Sequence, residues 1–137
     1  MIKSVNLGKE IVVTTPNKVG ILAEMARILA DHGINIEGVN GYELGTDAVI
    51  MLVVDDTLRA VEALQKKGYV NSKESEVVVV DLENKPGALK NITARLAAEK
   101  INIKHAYGTA CTEKCPTARI VLCTSDNEKT FVLFKGK

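Results

Sequence analysis

Apolar residues fall along the chain in two alternating rhythms. The run Ile11-Val12-Val13-Thr14 is short and β-branched, as a buried strand is, and Pro16-Asn17 closes it. From Val19 to Asp31 the residues Leu22, Met25, Ala26 and Leu29 follow helical spacing, and Gly33 supplies a C-terminal stop. Ile34 to Tyr42 and Asp47 to Val54 flank Leu44-Gly45-Thr46, which predicts two strands joined as a hairpin. Asp56 is placed to cap a second helix with Leu58, Val61 and Leu64 on one face and Gly68 at its end. Tyr69 to Lys73 reads as a short fourth strand.

The pattern then repeats. Gly20, Leu22, Leu29, Ile34-Asn35-Ile36 and Gly41 recur 67 residues later as Gly87, Leu89, Leu96, Ile101-Asn102-Ile103 and Gly108. An insertion around Lys114-Cys115-Pro116 lengthens the offset to 70, which sets Ala48, Ile50, Leu52 and Asp56 on Ala118, Ile120, Leu122 and Asp126. Glu76 to Asp81, Leu89 to Glu99, Ile101 to Thr109 and Thr117 to Thr124 therefore repeat the first four elements. Only eleven residues follow Asp126. Phe131 and Phe134 fall on Val61 and Leu64, which favours a shortened second helix, although four consecutive apolar residues also suit an edge strand. No sequence remains for a fourth strand. The expected fold is α+β: two tandem ferredoxin-like βαββαβ modules, residues 1–74 and 75–137, with antiparallel sheets, helices on one face, and the second module truncated at its C-terminus.

Each strand-to-helix loop carries a related motif. One reads Asn17-Lys18-Val19-Gly20-Ile21-Leu22, the other Asn84-Lys85-Pro86-Gly87-Ala88-Leu89, and each is followed by Ile-Asn-Ile. The pair resembles the ACT domain, whose pattern is an acidic or amide residue, Pro-Gly-x-Leu, a helix, and Gly-Ile-Asn-Ile at the second strand. Val19 stands where that pattern has Pro, and Lys100 where it has the Gly preceding Ile-Asn-Ile. The resemblance implies a non-catalytic regulatory protein that binds an amino acid or similar small ligand between neighbouring modules. It also allows a detached regulatory or interaction subunit of an amino-acid-metabolic enzyme. The ligand-binding candidates are the two loops together with Asn35, Ile36, Asn102 and Ile103.

Helix N-termini at Gly20 and Gly87 offer unpaired N–H groups and a positive dipole end to a carboxylate, with no side chain in the way. The amides of Asn35 and Asn102 suit a zwitterion. Each feature also has an ordinary structural use, since Pro-Gly turns corners and Asn satisfies local backbone.

Composition narrows the field further. Lys plus Arg number 18 against 17 Asp plus Glu in 137 residues, a net charge of +1 that creates no field for nucleic acid or an anionic membrane. No apolar run approaches the roughly 20 residues of a membrane span, so a cytoplasmic location is expected. The predicted central strands carry no stacking aromatics of the RNA-recognition type. Neither glycine loop contains Cys, which disfavours a metallochaperone, and neither offers a nucleophile with a base, so no catalytic residue is assigned. No cofactor or metal is expected. Cys111 and Cys115 have three residues between them and lie near Cys123 and His105, but without a second ligand pair they read as hairpin-loop thiols. His32 reads as a structural helix-end residue and Asp55-Asp56 as a cap. The strands Val49 to Val54 and Val77 to Val80 lack a polar face, and the second module lacks an edge strand. The two modules can cover each other's strands or a second chain can do so, and because self-association answers both features a homodimer is expected.

Overall fold

The computed structural model describes residues 1–110 and 116–136. In order these form β1 (Ile2–Pro16), α1 (Ile21–Asp31), β2 (Ile36–Leu44), β3 (Asp47–Val54), α2 (Thr57–Lys66), β4 (Ser72–Glu83), α3 (Ala88–Ala98), β5 (Ile103–Ala110), β6 (Thr117–Thr124) and α4 (Asn127–Lys135). The architecture is α+β with antiparallel strand pairs. Two compact units result, residues 9–75 and residues 1–8 together with 76–137.

In the first unit the strand order is β2-β3-β1-β4. Ile11 lies opposite Leu52 and Pro16 opposite Asp47 in the β1–β3 register. Alternation along β1 and β3 sends Ile11, Val13, Ile50, Leu52 and Val54 into one core with Ile21, Met25, Ile28 and Leu29 of α1 and Ala60, Ala63 and Leu64 of α2. α2 starts as its sequence predicts, with the Asp56 carboxylate accepting from Arg59 N–H.

In the second unit the order is β5-β6-β4-β1. Val78, Val80, Leu82 and Leu122 pack with Ala88, Ile92 and Leu96 of α3 and Phe134 of α4. Residues 127–135 are helix, so of the two readings of Phe131 to Phe134 the shortened helix is the one adopted. Asp126 caps it through Lys129 N–H, as Asp56 caps α2.

The sequence and the structure part at two places. Tyr69 to Lys73 and Glu76 to Asp81, expected as separate strands, are parts of one strand that begins at Ser72. Glu74-Ser75 contains no breaker, so the strand runs on. Tyr69 belongs instead to the turn before it, its N–H returning to Leu64 O at 3.0 Å. The fourth strand of the second unit is also present, supplied by residues 2–8. Met1 O accepts from Glu83 N–H (2.9 Å), Ser4 Oγ lies 3.2 Å from Asp81 Oδ2, and Ile2 and Val5 pack against the core. This pairing crosses the expected boundary at 74/75, because β1 and β4 are each long enough to serve both units.

Val49, Met51, Val53, Val77 and Val121, which lie outside the two helix-facing cores, are all buried within the single chain.

Candidate functional site

The two glycine loops share one backbone geometry. Gly20 (φ 91°, ψ 5°) and Gly87 (φ 88°, ψ −10°) are the N-cap residues of α1 and α3, both left-handed and without a side-chain cap. A Cβ built at either would meet nothing within 4 Å, so the approach to each helix end is open. Each loop is pinned at the same point: Asn17 N–H donates to Thr46 O and Asn84 N–H to Pro116 O, both at 2.9 Å. At the start of α1 the first N–H groups lack an intrahelical partner, as at any helix N-terminus, whereas at α3 Ala88 N–H turns back to Lys85 O (3.3 Å).

In the first unit this loop forms one wall of a cavity of about 250 Å³. Asn17, Lys18, Gly20, Ile21 and Leu22 meet Tyr42 and Glu43 of β2 and Ala48 and Ile50 of β3. Asn17 Nδ2 donates to Glu43 Oε2 (2.9 Å), and Lys18 Nζ is 3.7 Å from Glu24 Oε2. A cationic side chain and a helix N-terminus thus stand near a carboxylate, over an apolar floor. Behind the loop, Tyr69 OH donates to Glu24 Oε1. That bond, assisted by Lys18 and Arg27 and opposed by burial, holds the Glu24 carboxyl below its usual range. Burial, then the hydrogen bond and charge of Glu24, push the Tyr69 phenol up to about 12.

The candidates from sequence divide around this cavity. Five of the six loop residues line it, whereas Val19 is fully exposed and does not. Asn35 and Ile36 lie at the other end of the same unit's sheet. The loop adjoins Asp47 and Ile36 pairs with Val54, so the eight residues of β3, about 23 Å, separate them. Asn35 N–H is occupied by Asp55 Oδ1 (3.0 Å), and Asn102 N–H by Ser125 Oγ (3.0 Å). Tyr42, Glu43, Ala48 and Ile50 escaped the sequence reading. The signal that finds them is hairpin register, since the turn Gly45-Thr46 returns the chain beside Asn17.

In the second loop Ala88 is buried, whereas Asn84, Lys85, Pro86, Gly87 and Leu89 are exposed. Lys85 Nζ pairs with Glu83 Oε2 at 3.1 Å and holds the Glu83 carboxyl below its usual range. Ile103 opens β5 opposite Thr124. Cys111 and Cys115 lie outside the described residues. His105 stands opposite Cys123 in the β5–β6 register, and its ring stacks on Tyr107 at 6.3 Å. His32 ends α1, its Nδ1 2.8 Å from Ile28 O, and its carbonyl accepts from Arg59 (2.6 Å). Among the described residues no helix is long and apolar enough to cross a membrane.

The ACT domain model matches residues 9–67. No curated protein matches the sequence. Among solved structures, protein BT0572 from Bacteroides thetaiotaomicron is similar at 25% identity, with 96% of this chain and 89% of that one covered and a TM-score of 0.83. The regulatory subunit of aspartate kinase from Thermus thermophilus is similar in fold at 17% identity, with 98% and 97% covered and a TM-score of 0.69. The corresponding subunit from Thermus flavus gives 16% identity, the same coverage and a TM-score of 0.61.

Proposed function

We propose that this chain is a non-catalytic regulatory protein of two tandem ACT modules, residues 9–75 and residues 1–8 with 76–137, that binds a small amino acid at its strand-to-helix loop. The observation that carries the reading is the cavity of about 250 Å³ at Gly20. The open helix N-terminus and Lys18 suit a ligand carboxylate, and Glu43 suits an ammonium group in place of Asn17. Ile21, Leu22, Ala48 and Ile50 leave room only for a short side chain, the volume falling below that of drug-sized sites. The tandem reading is supported by equivalent geometry at Gly20 and Gly87, Asp56 and Asp126, and Asn35 and Asn102.

A thermal-shift screen against all the amino acids tests the proposal. One or more of the smaller ones is expected to stabilise the protein by about 2.7 kcal/mol at 100 times its dissociation constant. Glu43→Ala should abolish that shift. A flat screen, or a shift indifferent to Glu43→Ala, removes the cavity from the function.

A second reading, a detached regulatory subunit that acts by contacting a metabolic enzyme, is favoured by one observation. The chain and the aspartate kinase regulatory subunit from Thermus thermophilus match over nearly the whole of both lengths. Self-association as a homodimer and a cytoplasmic location belong to either reading.

A further inference from the structure

The repeat makes each unit a control for the other. In the first unit the face of α1 that carries Glu24 is covered by Tyr69, which is 6% exposed and whose hydroxyl meets Glu24. The equivalent of Glu24 is Asn91 on α3, 67 residues on. The equivalent of Tyr69 follows from the strand pairing. Tyr69 lies two residues before Asn71, whose carbonyl receives Thr14 N–H (3.1 Å). Asp81 is the equivalent of Thr14, and two residues beyond it Glu83 N–H goes to Met1 O (2.9 Å). Met1 therefore stands where Tyr69 stands, but it is 56% exposed and lines the space rather than closing it.

What remains is a cavity of about 600 Å³, lined by Ile2, Leu82, Ala88, Asn91, Ile92 and Arg95 among others. Its volume is within the range of small-molecule sites, and its walls are mostly aliphatic. The Arg95 guanidinium is held elsewhere, donating to Leu133 O (2.6 Å) and lying 5.3 Å from the Phe134 ring centroid. The Asn91 amide makes no side-chain hydrogen bond among the described residues. Unlike the Glu24 carboxylate, an amide both donates and accepts.

We propose that the cavity between α3 and the start of β1 is a binding site for a small monocyclic aromatic molecule that carries a hydroxyl group, seated as Tyr69 is seated in the first unit. The ring replaces the missing phenol against Leu82, Ala88 and Ile92, and its hydroxyl bonds to the Asn91 amide. The site is distinct from the loop cavity at Gly20 and does not depend on what binds there.

The test uses p-cresol, the tyrosine side chain without its backbone, and toluene, which lacks the hydroxyl, with backbone amide NMR of the full chain. Expected are saturable shifts at Ala88, Asn91, Ile92 and Arg95 with p-cresol. Asn91→Leu should weaken p-cresol about fivefold, the effect of one neutral hydrogen bond, and leave toluene unchanged. Ala94→Phe, at an exposed position that lines the cavity, should abolish both sets of shifts while the signals of residues 9–75 stay in place. The proposal is overturned if p-cresol moves none of these signals, or if the shifts survive Ala94→Phe. It is equally overturned if the same signals move with protein concentration alone, which would assign the cavity to a second copy of the chain.

Discussion

At the scale of residues, the contact that most distinguishes one unit from the other is Tyr69 with Glu24. A phenol whose folded value is pushed up to about 12 contributes stability that is complete below its ordinary value of 10.0 and is lost as pH rises through the folded one. The first unit is therefore expected to lose stability between about pH 10 and pH 12. Tyr69→Phe should flatten that window, as followed by denaturation at a series of alkaline pH values. An unchanged pH profile in the variant would assign the alkaline loss to other groups. Neither residue was legible as a pair in the sequence, because 45 positions separate them and Tyr69 looked like part of a strand. The glycines were legible. Gly20 and Gly87 both adopt the left-handed conformation that a capless helix start requires here, and neither side chain space nor a clash explains their presence.

At the scale of elements, the 67-residue offset in the sequence set Gly20 on Gly87 and Asn35 on Asn102, whereas the matching shifts of register after Ile36 and after Ile103 come from the structure alone. The one systematic departure sits at the end of α3. Gly33 closes the turn after α1 with φ 69°, and Lys100 does the same after α3 with φ 57°, the only non-glycine with positive φ among the described residues. A side chain in that region costs roughly 1–2 kcal/mol, part of which glycine returns through its freer unfolded state. Lys100→Gly should therefore stabilise the protein by about 1 kcal/mol in urea denaturation. A loss of stability would mean that the lysine side chain makes a compensating contact. Strand β4 was divided into two for the converse reason: the polar pair Glu74-Ser75 interrupts its apolar pattern, although a strand continues through such residues whenever both sides of it have a partner.

At the scale of the whole molecule, the case for a homodimer has moved to a different edge. Residues 2–8 fill the edge that seemed bare. The strands β2 and β5 end the order, and of these β2 exposes Val39, Tyr42 and Leu44. Light scattering at micromolar concentration should give twice the mass of one chain, and Val39→Lys should return it to the single mass. A single-chain mass for the unaltered protein would leave β2 as a free edge and end the dimer proposal. The division of labour between the ends of the chain was beyond the sequence because strand exchange leaves no local pattern. In the sequence, residues 2–8 were assigned to no element, and their place beside Glu83 shows only in the structure.

That exchange also sets an order of assembly. In connectivity, the first unit is an insertion between the opening strand of the second unit and everything else in it. During synthesis residues 2–8 leave the ribosome before the strand they pair with, which follows only from residue 76 onward. The unit in between can fold in the meantime. Its two ends meet, with Lys9 Nζ 3.4 Å from Glu74 Oε2, so its folding draws the waiting strand to the point where β4 emerges. A closure across more than sixty residues thereby becomes a short one, most of its entropic cost having been met by the unit that folded first.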